Sequence, residues 1–409
     1  MHQTSRLNTK PLRSKRGSIG LALAGGGPLG AVYEIGALSA LDEAIDGLDV
    51  NDLAIYVGIS AGGIVAAALA NGITPRQMHR LYIENDGSEL GVAPFRPEDL
   101  LVPAWREFRH RLPSAPAIFA AAALKRLRFR RNTGWAASFE GLKELLPSGV
   151  FSSQGIEAFL AQAFSTQGRT NDFRKLGKRL IIVASDLDSG ASVEFGQPGL
   201  DAVPISKAAQ ASAAVPGLFT PVEIDGQFYV DGALRKTLHA STALRTGVDL
   251  LFCLNPIVPY NAKPAHGSGK LAQRGLLGVL SQALRTIIHS RVEIGMANYR
   301  HTYPDADIIL IEPSSFDAEM FFTSLFGYNT RQRMCENAYQ QTRAMLWQRR
   351  DELDVKLARH GLKLNRATLC DTSATLTQPT SRTRDDRFGT RRLHGVLDQL
   401  ERQLRMQHD

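Results

Sequence analysis

Twice within its first 71 residues the chain passes from a short apolar run through glycines into a small-residue helical pattern. Residues 18–24 close on Gly25-Gly26-Gly27-Pro28-Leu29-Gly30, and apolar residues then recur at helical spacing over residues 29–45. Residues 53–58 close on Gly58-Ile59-Ser60-Ala61-Gly62 and lead into an alanine-rich helix that ends near residue 71. Parallel strands need a crossover, usually a helix, to return the chain, so a repeated strand-turn-helix unit predicts an α/β domain with a mostly parallel sheet. Residues 179–185, 250–255 and 307–312 are short, rich in Ile, Leu or Val, and separated by helical patterns, which adds three strands. In such sheets the functional loops lie at the carboxyl ends of the strands, where both glycine-rich turns fall.

The second turn reads Gly-x-Ser-x-Gly between a strand and a helix, the context of a nucleophile elbow. Gly58 and Gly62 suit a turn too sharp to leave room for Cβ atoms beside Ser60. The first turn offers backbone N–H groups at a helix N-terminus, where they can face a developing oxyanion, and Pro28 fits the first helical turn. Gly25, Gly27 and Gly30 also satisfy Gly-x-Gly-x-x-Gly, the dinucleotide fingerprint. That fingerprint expects an acid at the end of the second strand; here that strand ends in Gly58-Ile59-Ser60, and Asp49 and Asp52 precede it. A P-loop lacks its Gly-Lys-Ser/Thr.

A nucleophilic serine needs a base. His239, His289 and His301 follow Ser60 in sequence, but none stands at a recognisable strand end. Asp231, in Tyr229-Val230-Asp231-Gly232-Ala233, follows a short apolar strand and precedes a glycine, which makes it the base candidate. Taken alone it reads as a turn or cap aspartate.

These residues resemble the patatin-like phospholipases. The resemblance rests on Gly25 to Gly30 as oxyanion loop, Gly58 to Gly62 as elbow and Asp231-Gly232-Ala233 as the family's aspartate motif. Residues 211–219 (ASAAVPGLF) and 184–190 (ASDLDSG) also look like family sequence, and the likeness covers about residues 19–244. It implies a three-layer α/β/α fold and a Ser60–Asp231 dyad without histidine or cofactor. It implies that Gly25, Gly26, Gly27 and Gly30 form the oxyanion hole, and that lipid acyl esters are cleaved through an acyl-enzyme. Ala233 replaces the commoner final glycine of the aspartate motif. A catalytically silent lipid-binding protein is the alternative from another class, and intact Ser60 and Asp231 speak against it.

Composition narrows the setting. With 44% hydrophobic and 22% charged residues among 409, the chain is neither disordered nor a polytopic membrane protein. Cys253, Cys335 and Cys370 are far apart, so neither a disulfide framework nor a zinc site is expected, and a reducing, cytoplasmic setting fits. Residues 1–16 read as a basic tail without the apolar run of a Sec signal. The catalytic domain is expected over residues 17–313, with a helical cap inserted at about 94–143 and a helical C-terminal extension over 314–409.

No apolar run reaches the roughly 20 residues needed to span a bilayer. Residues 104–132 hold eight basic side chains against one acid, near the whole excess of +8. With Trp105, Phe108 and Phe129 interleaved, they read either as a solvated face or as a helix drawn to anionic lipid, with nucleic acid the weaker partner. Residues 276–294 carry Leu276, Leu277, Leu280, Leu284, Ile287, Ile288 and Val292 at helical spacing, expected to pack in the core or to wall an acyl pocket. Met320 to Phe326 form an aromatic cluster with the same expectation, and an amphipathic helix is expected over residues 391–406.

Overall fold

The computed structural model describes residues 18–94, 102–105, 147–236, 238–261, 271–315 and 328–377. The basic tail, nearly all of the expected cap, the aromatic cluster at 320–326 and the helix at 391–406 lie outside them. The first half contributes β1 (Ile19–Leu23), α1 (Gly27–Ala44), β2 (Ile45–Asp46), β3 (Ile55–Ile59), α2 (Ala61–Ala70) and α3 (Pro75–Met78). Next come β4 (Val102–Pro103), β5 (Gly149–Ser152), α4 (Gln154–Phe164), β6 (Arg179–Asp186), β7 (Ser192–Phe195) and α5 (Ile205–Ser212). Then follow β8 (Gly217–Phe219), β9 (Val222–Ile224), β10 (Gln227–Asp231), α6 (Ala240–Leu244) and β11 (Leu250–Leu254). The chain continues through α7 (Gly275–Thr302), β12 (Asp307–Ile311), α8 (Tyr328–Gln348), α9 (Arg350–Arg359), β13 (Lys363–Leu364) and α10 (Arg366–Cys370).

The main sheet runs β12-β11-β1-β3-β6-β10-β9, with β7 also on β6. The strands β12, β11, β1, β3 and β6 are mutually parallel, whereas β10 and β7 run antiparallel to β6. Both faces are covered, which is why these strands are continuously apolar rather than alternating. On one face Leu21, Leu23, Tyr56 and Phe252 meet α1, α2 and α8; on the other Ala22, Val57, Ile181 and Cys253 meet α6 and α7. Helix α8 crosses α1 so closely that a Cβ on Gly36 would stand 2.3 Å from the Cys335 carbonyl oxygen.

Three sequence expectations change. The stretch from 94 to 143, read as free of strand, contains β4, which pairs with β5. The C-terminal extension, expected to be helical over residues 314–409, holds two helices that part at Arg349 and, after them, the short strand β13. The third concerns residues 276–294: Ile288 and Val292 are buried, but Leu276, Leu280, Leu284 and Ile287 are all more than half exposed and line no cavity with Ser60. The reason is length. Helix α7 has 28 residues, about 42 Å, against five-residue strands of about 17 Å, so its first half runs past the carboxyl end of the sheet.

Glu34, on α1, is wholly buried, and among the described residues neither carboxyl oxygen has a hydrogen-bond partner. Burial pushes its pKa well above 4.5, so the side chain is held neutral. Because the folded value exceeds the unfolded one, unfolding releases a proton, and stability falls as pH rises from 4.5 toward the folded value. Glu34→Gln is expected to gain on the wild type by about 1.4 kcal/mol per pH unit across that window, read from urea unfolding at several pH values. A gap that stayed constant with pH would reject this account.

Candidate active site

Parallel β3 reaches along β6 only as far as Ile59 opposite Val183. Antiparallel β10 takes the next positions, with Asp231 opposite Ala184 and Val230 opposite Ser185. Since Ala184 and Ser185 also pair with β7, and so do Ile182 and Val183, β3 and β10 must share the other edge of β6. The two strands therefore run toward each other in one lane, and the residues at their meeting point are Ser60 and Asp231.

Ser60 adopts φ 54°, ψ −126°, a strained backbone for a residue with a Cβ, and it turns directly into α2. Its N–H donates to Ser212 Oγ at 2.8 Å, and that hydroxyl donates in turn to the Val183 carbonyl at 2.5 Å. Two residues on, the Ala214 carbonyl accepts the Asp231 N–H at 2.9 Å. The junction that ends α5 thus clamps both meeting residues. It lies in the stretch 211–219 noted in the sequence, but nothing in the sequence distinguishes Ser212 or Ala214 from their alanine neighbours.

Asp231 is 4% exposed and accepts the Ala233 N–H at 2.8 Å. Burial lifts its carboxyl from 3.8 to about 6, against the Ala233 N–H and the neighbouring Ser60 hydroxyl, which favour the ionised form. No histidine lines the Ser60 cavity among the described residues. His239 is buried on the opposite face of the sheet, where burial lowers it to about 4, and His289 lies between Glu293 and Glu312.

The Gly25 to Gly30 loop faces the elbow. A Cβ on Gly25 would stand 3.1 Å from Ser60 Cβ. Gly26 has φ 156°, and a Cβ there would meet Pro256 at 2.8 Å and Gly30 Cα at 2.9 Å, so the backbone can pass only as glycine. Among the described residues neither the Gly26 nor the Gly27 N–H has an acceptor, and both stand at the start of α1. Gly30 does not join them: its N–H donates to the Gly26 carbonyl at 3.1 Å as the first bond of the helix, which corrects the expectation that it belongs to the oxyanion hole. Gly58 and Gly62 flank Ser60, with room for only 2.4 Å between a Gly58 Cβ and the Gly62 carbonyl oxygen.

Ser60, Gly27 and Pro28 open onto a cavity of about 210 Å³ walled by Ile35, Ile64, Leu81, Phe159, Leu160 and Phe219. Among the described residues its one charged lining residue is Arg331, whose guanidinium donates to the Tyr82 carbonyl at 2.7 Å. Arg331 falls in the expected C-terminal extension, which the sequence reading gave no part in a site.

An α/β fold with a strained serine at a strand-to-helix elbow, a buried carboxylate against it and free glycine amides beside it defines a serine-elbow protein of the α/β class. The chain belongs to the patatin-like phospholipase family, whose model matches residues 21–244. It is 23% identical over 230 residues to the probable lipid hydrolase 463L of invertebrate iridescent virus 6, covering 54% of this chain and 61% of that one. It is 27% identical over 175 residues to YqhO of Bacillus subtilis, covering 41% and 47%. The chain spans about three fifths or less of the length of these curated relatives. Similar solved structures are VipD from Legionella pneumophila (16% identity, TM-score 0.37, 81% of this chain and 67% of that one) and the type III effector ExoU of Pseudomonas aeruginosa (16%, 0.32, 82% and 53%).

Proposed function

We propose that this chain hydrolyses the acyl esters of lipids, of the phospholipase A or lysophospholipase type, through a Ser60–Asp231 dyad. The observation that carries the reading is the head-on meeting of β3 and β10, which sets a buried carboxyl against the Ser60 hydroxyl at the mouth of an apolar cavity. Asp231 takes the Ser60 proton as Oγ attacks the ester carbonyl carbon, and the Gly26 and Gly27 N–H groups hold the oxyanion. Collapse of the tetrahedral adduct expels the alcohol, which takes the proton from Asp231, and leaves an acyl-Ser60 ester. Asp231 next deprotonates water for attack on that ester, and release of the fatty acid returns the proton to Ser60. An apolar cavity with few polar groups suits an acyl chain, and the raised Asp231 pKa suits a base that works near neutrality.

The test is covalent labelling with a fluorophosphonate in the presence of lipid vesicles. Wild type is expected to label at one site, and Ser60→Ala not at all. Equal labelling of the two would move the nucleophile elsewhere; no labelling of either would favour a lipid binder without catalysis.

A further inference from the structure

Helix α7 is apolar on two adjoining faces. Ile288, Val292 and Met296 are buried against the sheet, whereas Leu276, Leu280, Leu284, Ile287 and Ile294 recur at three- and four-residue spacing as a stripe between 51% and 73% exposed. Arg291 occupies the same stripe between the two isoleucines. There the helix borders a cavity of about 290 Å³ lined by Arg291, Arg235 and Lys236 and, among the described residues, by no acidic side chain. Arg291 spans its rim to donate to the Leu234 carbonyl at 2.7 Å. Over the whole of α7 the only acid is Glu293.

The stripe is tied to the Ser60 site by chain geometry. Gln282 accepts the Tyr260 N–H at 3.1 Å and donates to the Tyr260 carbonyl at 2.8 Å, and Arg285 donates to the Val258 carbonyl at 3.3 Å. These hold the first half of α7 against the loop that leaves β11, whose Pro256 packs on Gly26 and Gly30. The exposed leucines therefore stand at the same end of the sheet as Ser60. An apolar stripe that ends in cations and lacks acids has the composition of a helix lying in a bilayer interface, and α7 is not apolar enough to cross a membrane.

We infer that α7 is the surface on which this chain docks to an anionic lipid bilayer, with Leu276 to Ile287 in the acyl region and Arg235, Lys236 and Arg291 on lipid phosphates. The inference deepens the lipid-hydrolase reading, since such a substrate is drawn from the bilayer into the cavity beside Ser60. The experiment uses the full chain carrying Ser60→Ala, so that binding is read whether or not the dyad is right. Flotation is measured with phosphatidylcholine vesicles, with and without phosphatidylglycerol. The Ser60→Ala chain is expected to float with the anionic vesicles.

Adding Leu280→Glu and Leu284→Glu is expected to weaken that binding at least about tenfold. Adding Arg235→Glu and Lys236→Glu is expected to cost about fivefold or more per cation and to remove the preference for phosphatidylglycerol. In a chain with Ser60 intact, the leucine pair is expected to leave hydrolysis of a soluble short-chain ester unchanged, which separates lost docking from lost folding. Unaltered flotation of the leucine variant, or equal binding to neutral vesicles, overturns the inference. So does a dimer that the leucine substitutions turn into monomers, because a second copy would then cover the stripe.

Discussion

Asp231→Asn is expected to lower kcat/KM on a soluble short-chain ester by about a thousandfold or more, while the chain keeps its fold. Asparagine has nearly the same shape and can still accept the Ala233 N–H through Oδ1, but it cannot take a proton from Ser60. General-base assistance contributes about 10²–10⁴ to such reactions, and in the proposed mechanism one group supplies it in both acylation and deacylation. The wild-type profile carries a second signature. With the Asp231 carboxyl lifted to about 6, log kcat/KM is expected to climb with unit slope below that pH and level off above it. The residual activity of the asparagine variant should show no such inflection.

Stability should not fall in this variant. The folded pKa of Asp231 lies above its usual 3.8, so its contribution declines as pH rises from 3.8 through about 6 and is fully lost at neutrality. A neutral amide does not suffer that loss. Retained activity, or an unshifted inflection in the variant, would remove Asp231 from the mechanism.

A large effect on folding is expected at Gly62, beside the nucleophile elbow. A methyl group there would stand 2.4 Å from the Ala24 carbonyl oxygen and 2.7 Å from that of Leu23, both backbone atoms at the end of β1. No rotamer change can relieve this contact, and β1 is held between β3 and β11. Gly62→Ala is expected to cost about 3 kcal/mol or more in urea unfolding and to displace the Gly25 to Gly27 loop, with loss of activity. Its neighbour is the control. A Cβ on Gly63 meets nothing closer than 3.4 Å, so Gly63→Ala should be neutral, or stabilising by up to about 1 kcal/mol through helix propensity. Similar losses in both variants would show that helix α2, rather than the elbow contact, was disturbed.

The strand-turn-helix pairs were legible because doubly buried parallel strands and helices opened by glycine leave strong local marks. Ile19–Leu23 and Ile55–Ile59 fall within two residues of their expected ends. Ser60 and Asp231 could each be proposed from the turn chemistry beside them. How they meet could not, because strand direction is decided by pairing partners far away in sequence, and only the antiparallel arrival of β10 in the lane of β3 brings them together. Gly30 was misassigned for a local reason: a motif counts glycines, whereas the helix decides which N–H it consumes. The stripe on α7 was misread because periodicity marks a face without saying whether protein or solvent lies beyond it.

Recognisable family sequence ends at Leu244, whereas the sheet does not. Strand β1, which ends at the oxyanion loop, has β3 on one side, but its other neighbour is Leu250–Leu254, with β12 beyond that. Helix α1 is seated against a carbonyl at Cys335. A fragment trimmed to the region of similarity would keep every motif residue, yet it would open a hydrogen-bonding edge beside β1 and uncover one flank of α1. In this chain the stretch that carries the family signature and the stretch that completes the sheet and the packing of α1 have different ends, and a shortened gene product must respect the second.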